Sequence, residues 1–293
     1  MSRVELFDET FDPSVAAHVD LVVAPTGMGC RLVLHDSMRK QFVGLVEFPW
    51  TVRSDADWAQ VFSQLLGAYS WLGQDFHSVR LVWDSTCYTL LPKEYYVPEE
   101  AKKVLQSVVP VASLDVVYTG AVGEDALLLY GVPSEMLNAA RGLWADFPVQ
   151  HSAMSLCHLA REEYKKGTGL LVYLATGACT AVLVREEALL ACVPFWPSCA
   201  EDVLYRLAGI CEANGLSVPE LTYRIFGPGF KPPVADAERG DALFIGAGAV
   251  DDLLWQYMLR EEGRIAFGER GVSYLLEKSL AGYMPFFGAM ECA

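Results

Sequence analysis

The chain has 293 residues, 53% of them hydrophobic and 20% charged, with a net charge of -15. That apolar share excludes a disordered chain, and a folded chain of this length buries about three quarters of its unfolded surface, sufficient for two cores. The acidity argues against a nucleic-acid surface, where affinity comes from Lys and Arg neutralising phosphates, and against docking on anionic lipid by charge.

Residues 1–17 read as an acidic leader that adds an edge strand. Residues 19–24, 30–36 and 41–48 are strands joined by links short enough for hairpins, which predicts an antiparallel meander. Residues 55–72 predict a helix, because Trp58, Val61, Phe62, Leu65, Tyr69 and Leu72 recur at three- and four-residue steps. Ser54 or Asp55 is its expected N-cap and Gly73 its stop. Residues 78–83 follow a helix, so they are expected as a strand parallel to its neighbour. Further extended pieces fall at 86–91, 115–119 and 126–131, and helices opened by proline at 98–108 and 133–144. The first unit ends near Phe147-Pro148.

The second half opens with a helix at 151–165 and repeats the meander at 169–175, 178–185 and 188–194. A helix at 198–214, with Val203, Leu207 and Cys211 on its inner face, leads to a strand at 220–226. Residues 227–240 read as a surface loop, 242–245 as a strand, 250–259 as a helix, and 264–267 with 272–276 as a hairpin before an apolar tail that packs down. The 18 uncharged residues 167–184 reach the lower edge of membrane-spanning length. The turn Thr176-Gly177-Ala178 divides them into two buried strands, so no transmembrane segment is expected.

The two halves repeat. Thr26-Gly27 and Thr176-Gly177 mark equivalent turns, and Phe48-Pro49-Trp50 closes the first meander as Pro194-Phe195-Trp196 closes the second. The pattern predicts an α/β protein of two similar lobes, residues 1–148 and 149–293, facing each other across a cleft.

Three meander strands, a helix, a strand, a helix, a strand and a helix follow the order of the ribonuclease H-like unit. Two such units in tandem resemble the actin-like ATPase superfamily, which includes sugar kinases, heat-shock ATPases and pilus-assembly proteins. Through Tyr88-Thr-Leu-Leu-Pro-Lys-Glu-Tyr-Tyr96, Phe147-Pro-Val-Gln-His151 and Glu201-Asp-Val-Leu-Tyr205, the chain also resembles the uncharacterised family called domain of unknown function 3822, found in Bacteroidetes. The resemblance implies tandem ribonuclease H-like lobes, each a mixed sheet with an antiparallel three-strand meander and flanking helices, and nothing firm about activity.

The superfamily also implies where a nucleotide would lie. Its phosphate-wrapping turns match Thr26, Gly27 and Gly29 in the first half and Thr176, Gly177 and Thr180 in the second. Its adenosine-supporting turn matches Gly246 and Gly248, with Ala247 in place of a second glycine. Each phosphate turn of the superfamily usually carries an Asp that holds water on magnesium, and neither turn here has one. Magnesium normally takes one or two carboxylates, and phosphoryl transfer rests on charge placement, so hydrolysis is expected to be lost. The same turns also read as hairpins that need glycine.

Other chemistry finds little support. A ribonuclease H-type nuclease needs carboxylates to hold two metals, yet Asp20 is followed by Leu21-Val22-Val23-Ala24. His151 and His158 stand seven apart, not at the four-residue spacing of a helical metal pair. Ser85, Ser155 and Ser198 lack a Gly-x-Ser-x-Gly context, and Cys87 and Cys199 have no base nearby in sequence. His35-Asp36 ends a strand and reads as exposed. Trp50 and Trp196 read as symmetric core plugs ahead of a ligand-stacking pair. Pro285-Phe286-Phe287, if solvent-facing, would suit a partner. Eight dispersed cysteines, none in a Cys-x-x-Cys pair, fit a reducing cytoplasm. The expectation is a non-catalytic cytoplasmic protein that acts through a protein partner or self-association, with no cofactor or metal. The competing expectation is a nucleotide-binding switch or weak ATPase that holds ATP in the cleft.

Overall fold

The computed structural model describes residues 3–9, 11–175, 178–198, 200–216, 222–226 and 283–290. In chain order its elements are β1 (Val4–Phe7), β2 (Val19–Thr26), β3 (Gly29–Asp36), β4 (Gln41–Pro49), α1 (Asp57–Ala68), β5 (Ser78–Trp83), β6 (Tyr88–Pro92), α2 (Ala101–Val108), β7 (Asp115–Ala121), β8 (Ala126–Pro133), α3 (Ser134–Arg141), β9 (Val149–His151), α4 (Ser152–Glu163), β10 (Thr168–Ala175), β11 (Ala178–Arg185), β12 (Ala188–Phe195), α5 (Ala200–Ala213), β13 (Thr222–Phe226) and a last short α6 (Met284–Gly288). The strand, helix and hairpin expected between 242 and 276 lie outside the described residues.

Each apolar run pairs with its sequence neighbour because the connecting turns are short. The first sheet runs β1-β4-β3-β2-β5-β9, antiparallel through the meander and parallel from β2 to β5 and from β5 to β9. The second runs β12-β11-β10-β13, again two antiparallel pairings and then a parallel one. A parallel pairing needs a crossover; α1 supplies it before β5 and α5 before β13. The two meanders share a detail beyond strand order. Each has a register shift in its second hairpin, after Leu34 in the first and after Leu183 in the second. A third, antiparallel sheet, β6-β8-β7, is inserted between β5 and β9.

Alternation along the strands sorts the side chains to two faces. In the first sheet Leu21, Val23, Leu32 and Leu34 share a core with Trp58, Val61, Phe62 and Leu65 of α1. Val22, Ala24, Val33, Phe42, Leu45 and Val82, on the opposite face, pack with Phe286, Phe287 and Ala289 at the chain's end. In the second sheet Leu171, Tyr173, Val182 and Val184 join the core with Leu156, Cys157 and Ala160 of α4. Leu170, Val172, Ala181 and Leu183 pack with Val203, Leu207 and Cys211 of α5. The apolar tail therefore packs down, and the idea of an exposed Phe286-Phe287 patch is corrected: both rings are buried.

Two local expectations are also corrected. The first helix ends at Ala68, and a separate 3-10 turn covers Ser70–Gly73. Between them Tyr69 leaves helical geometry (φ -132°, ψ 77°), its ring meeting Phe48 and its hydroxyl donating to Glu5 on the edge strand. Neither Ser54 nor Asp55 caps the helix. The Asp57 carboxylate instead reaches back to accept the N–H groups of Arg53 and Ser54 at 2.7 and 3.0 Å.

Candidate functional site

A cavity of about 320 Å³ opens between the two large sheets. Its described walls are the β2–β3 turn, the end of β5, the facing ends of β10 and β11, and Trp196 just after β12. Thr26, Gly27 and Thr180, three of the residues singled out from the sequence, line it together. Gly29 stands at the start of β3, outside that lining. Thr176, Gly177, Gly246 and Gly248 lie outside the described residues.

The turn is held by its own bonds. Thr26 Oγ1 donates to the Gly29 carbonyl at 3.1 Å and accepts the Met28 N–H at 3.2 Å. The Thr26 carbonyl accepts the Trp50 indole N–H at 2.7 Å. Gly27 is different: a Cβ there would meet nothing within 4 Å, and its φ is not positive. Neither packing nor backbone geometry demands glycine at this point. Thr180 Oγ1 is paired with the Tyr88 hydroxyl at 2.9 Å.

The cavity floor carries charge that the sequence reading missed. Arg31 of β3 is 6% exposed. Its Nε donates to Glu47 of β4 at 2.9 Å, and its Nη1 to Asp84, just past β5, at 3.4 Å. Asp84 also accepts the Ser152 hydroxyl at 2.7 Å. The Phe286 ring lies under the guanidinium at 5.0 Å. Burial alone would lower the Arg31 pKa, but Tyr173, Asp84 and Glu47 outweigh it and raise it, so the group stays charged. Burial, first, and then Asp84 push the Tyr173 hydroxyl well up, so it stays neutral. A carboxylate thus lines the cleft after all, entering from β5 instead of from a turn.

Beside Asp84, Ser85 faces a buried histidine. His151 Nε2 stands 3.4 Å from Ser85 Oγ. Its Nδ1 accepts the Ala153 N–H at 3.1 Å as the N-cap of α4. The ring proton is therefore on Nε2. His151 points a proton at Ser85 and has no lone pair there, so this pair cannot activate a serine nucleophile.

Residues 8–228 match the family described as "Protein of unknown function (DUF3822)". The chain belongs to DUF3822. No curated protein matches it. A solved structure from Bacteroides thetaiotaomicron VPI-5482, described as a protein with actin-like ATPase fold and unknown function, is similar with a TM-score of 0.70 at 11% identity, covering 85% of this chain and 91% of that one. A structure described as the PilM-PilN type IV pilus biogenesis complex is similar with a TM-score of 0.53 at 13% identity, covering 93% of this chain and 98% of that one. At these identities the likeness shows the fold alone: this DUF3822 chain has the actin-like ATPase fold, built from ribonuclease H-like sheets.

The two tryptophans of the DUF3822 meanders are not equivalent. Trp50 is 7% exposed, against Trp58 and Phe62 of α1. Trp196 is 59% exposed at the cleft, which corrects the symmetric core reading. His35 is corrected too: it is mostly buried and bonded to Asp20 at 3.1 Å. Asp20 also accepts from His77 and Ser78, at 2.7 and 2.6 Å. Among the described residues no group of three or more His, Cys, Asp or Glu side chains is placed to hold a metal ion, and no helix is long and apolar enough to cross a membrane.

His151 has a measurable consequence. Burial pushes its pKa down to about 3, against a weaker opposing pull from the Ser85 backbone. The unfolded chain takes up a proton near the usual histidine value of about 6.5 while the folded chain does not, so stability falls as pH drops below that value. Asp20 has a lowered pKa, its bonds from Ser78, His77 and His35 outweighing burial. Its contribution is lost only below the ordinary carboxylate range of about 4, so it does not overlap the window in which His151 acts. Urea midpoints of the wild type are expected to report a loss of about 2 kcal/mol from pH 6.5 to 5. His151→Asn, which keeps a capping oxygen, is expected to lose clearly less, and equal slopes would contradict a buried neutral imidazole.

Proposed function

We propose that this protein is a non-hydrolysing member of the actin-like fold that works in the cytoplasm by binding a protein partner or a second copy of itself. Its two ribonuclease H-like lobes, residues 1–148 and 149–293, would present the cleft between them. The observation that carries this reading is the commitment of Arg31, the cation on the cleft floor, to Glu47 and Asp84. A cation so neutralised offers little to a triphosphate, and the developing charge of phosphoryl transfer needs unspent positive groups. Support also comes from the Thr26 hydroxyl, closed within its own turn, and from the exposed Met28 and Trp196 at the cleft, 57% and 59% accessible. Exposed large apolar side chains of this kind suit a partner surface. One of the solved neighbours, PilM, is itself described in a complex with PilN.

A nucleotide-binding switch or weak ATPase using ATP is the second reading. One observation favours it: the open space in front of Gly27, where backbone could approach a ligand. Phosphate release from ATP with magnesium tests the ATPase form of this reading, and thermal melting with the same nucleotide tests the switch. The expected rate is that of the protein-free control. Saturable turnover lost in Asp84→Asn would overturn the binding-only reading.

A further inference from the structure

The cleft floor holds one guanidinium against two carboxylates. Among the described lining residues the charged ones are Arg31 and Asp84, and Glu47 lies behind them. The trio therefore has one more acidic group than basic, and the acid on the cavity side is Asp84. Each carboxylate oxygen can accept two hydrogen bonds. Ser152 takes one site on Oδ1 and Arg31, at a long 3.4 Å, one on Oδ2, so Asp84 retains accepting capacity towards the cavity. Trp196 stands exposed on the same lining. A cation lying between a carboxylate and an indole face is attracted by both, and the chain's net charge of -15 adds a long-range pull of the same sign.

Ser85 completes the arrangement. Its Oγ accepts the Cys87 N–H at 3.2 Å and faces the protonated Nε2 of His151 at 3.4 Å. Ser85 lines the cavity, and a hydroxyl whose oxygen accepts from Cys87 still has its own proton to donate to a peptide carbonyl there. The cavity, about 320 Å³, is at the small end of ligand sites, which run from about 300 to 1,000 Å³.

We infer that the cleft takes a basic side chain, the guanidinium or ammonium of an Arg or Lys in a segment of the partner protein, held between Asp84 and Trp196 with Ser85 on the adjoining backbone carbonyl. This rests on the protein-binding reading above and names the chemistry of its partner.

The test uses the full chain with two acetylated, amidated pentapeptides, Ala-Ala-Arg-Ala-Ala and the same peptide with citrulline, which keeps the shape of arginine and removes its charge. Calorimetric titration at low salt is expected to give at least about tenfold tighter binding of the arginine peptide. Trp196→Ala, a change at an exposed ring, is expected to weaken it about threefold or more. Asp84→Asn is expected to abolish the preference over citrulline. Asp84→Glu, which keeps the charge, is expected to restore it if Asp84→Asn alone proves poorly folded. Equal binding of the two peptides, binding of neither, or a preference that survives in Asp84→Asn would overturn the inference. None of those results would touch the protein-binding reading, which falls to nucleotide turnover instead.

Discussion

Replacing Arg31 by methionine is expected to cost about 3–5 kcal/mol of folding stability, the range for removing one partner of a buried ion pair. Arg31 is directly opposite Glu47 in the β3–β4 register, and its guanidinium also reaches Asp84. Glu47 is 6% exposed, so the substitution leaves a carboxylate in the interior facing a second one with no cation between them. The fold then has to protonate a carboxylate or admit water. The triple variant Arg31→Met, Glu47→Gln, Asp84→Asn is expected to recover much of the loss, since removing all the charge avoids the uncompensated state. Urea unfolding of the two variants checks this. A single substitution costing less than about 1 kcal/mol, the usual value for an exposed pair, would show that the trio is solvated.

The second large effect is expected at Phe286. Truncation to alanine should cost about 3–5 kcal/mol, the range for a buried aromatic ring. The ring is fully buried, packed with Val22, Val33 and Leu45 of the first sheet and under the Arg31 guanidinium. Its helix spans five residues, too short to persist without tertiary packing, so burial of Phe286 and Phe287 is what holds it down. Beyond this, Arg80 Nη1 donates to the Ala289 carbonyl at 3.0 Å. Losing the ring should release the segment and uncover one apolar face of the sheet. Thermal melting, with amide exchange at Val22 and Val33, reads both consequences. A Phe286→Ala protein that melts with the wild type and keeps those amides protected would contradict this packing.

The repeated meander was legible because its information is local: apolar alternation, short turns and the equivalent Trp-bearing ends. The parallel placement of β5 followed from the helix before it, and β13 repeats that arrangement after α5. The charges of the cleft were not legible from composition, since their meaning lies in register. Arg31 opposes Glu47 and His35 opposes Asp20 only once β2, β3 and β4 are aligned. An Arg and a Glu inside otherwise apolar strands were the available signal, because a buried charge requires a partner. Asp84 carried a second signal, its place at the carboxyl end of a parallel strand, where α/β sheets gather ligands. The tryptophans diverge for a reason outside their own motif. Trp58 and Phe62 of α1 enclose Trp50, whereas the buried residues of α5 are the smaller Val203, Leu207 and Cys211. The three-residue β9 was too short to show as a pattern, and the burial of α6 depends on contacts with the far end of the chain.

Thermal melting with millimolar ATP and magnesium tests most directly whether the commitment of Arg31 to Glu47 and Asp84 closes this cleft to nucleotide. An unchanged midpoint is expected. An upward shift that grows with nucleotide, towards the stabilisation of about 2.7 kcal/mol given by ligand at a hundred times its dissociation constant, would contradict it.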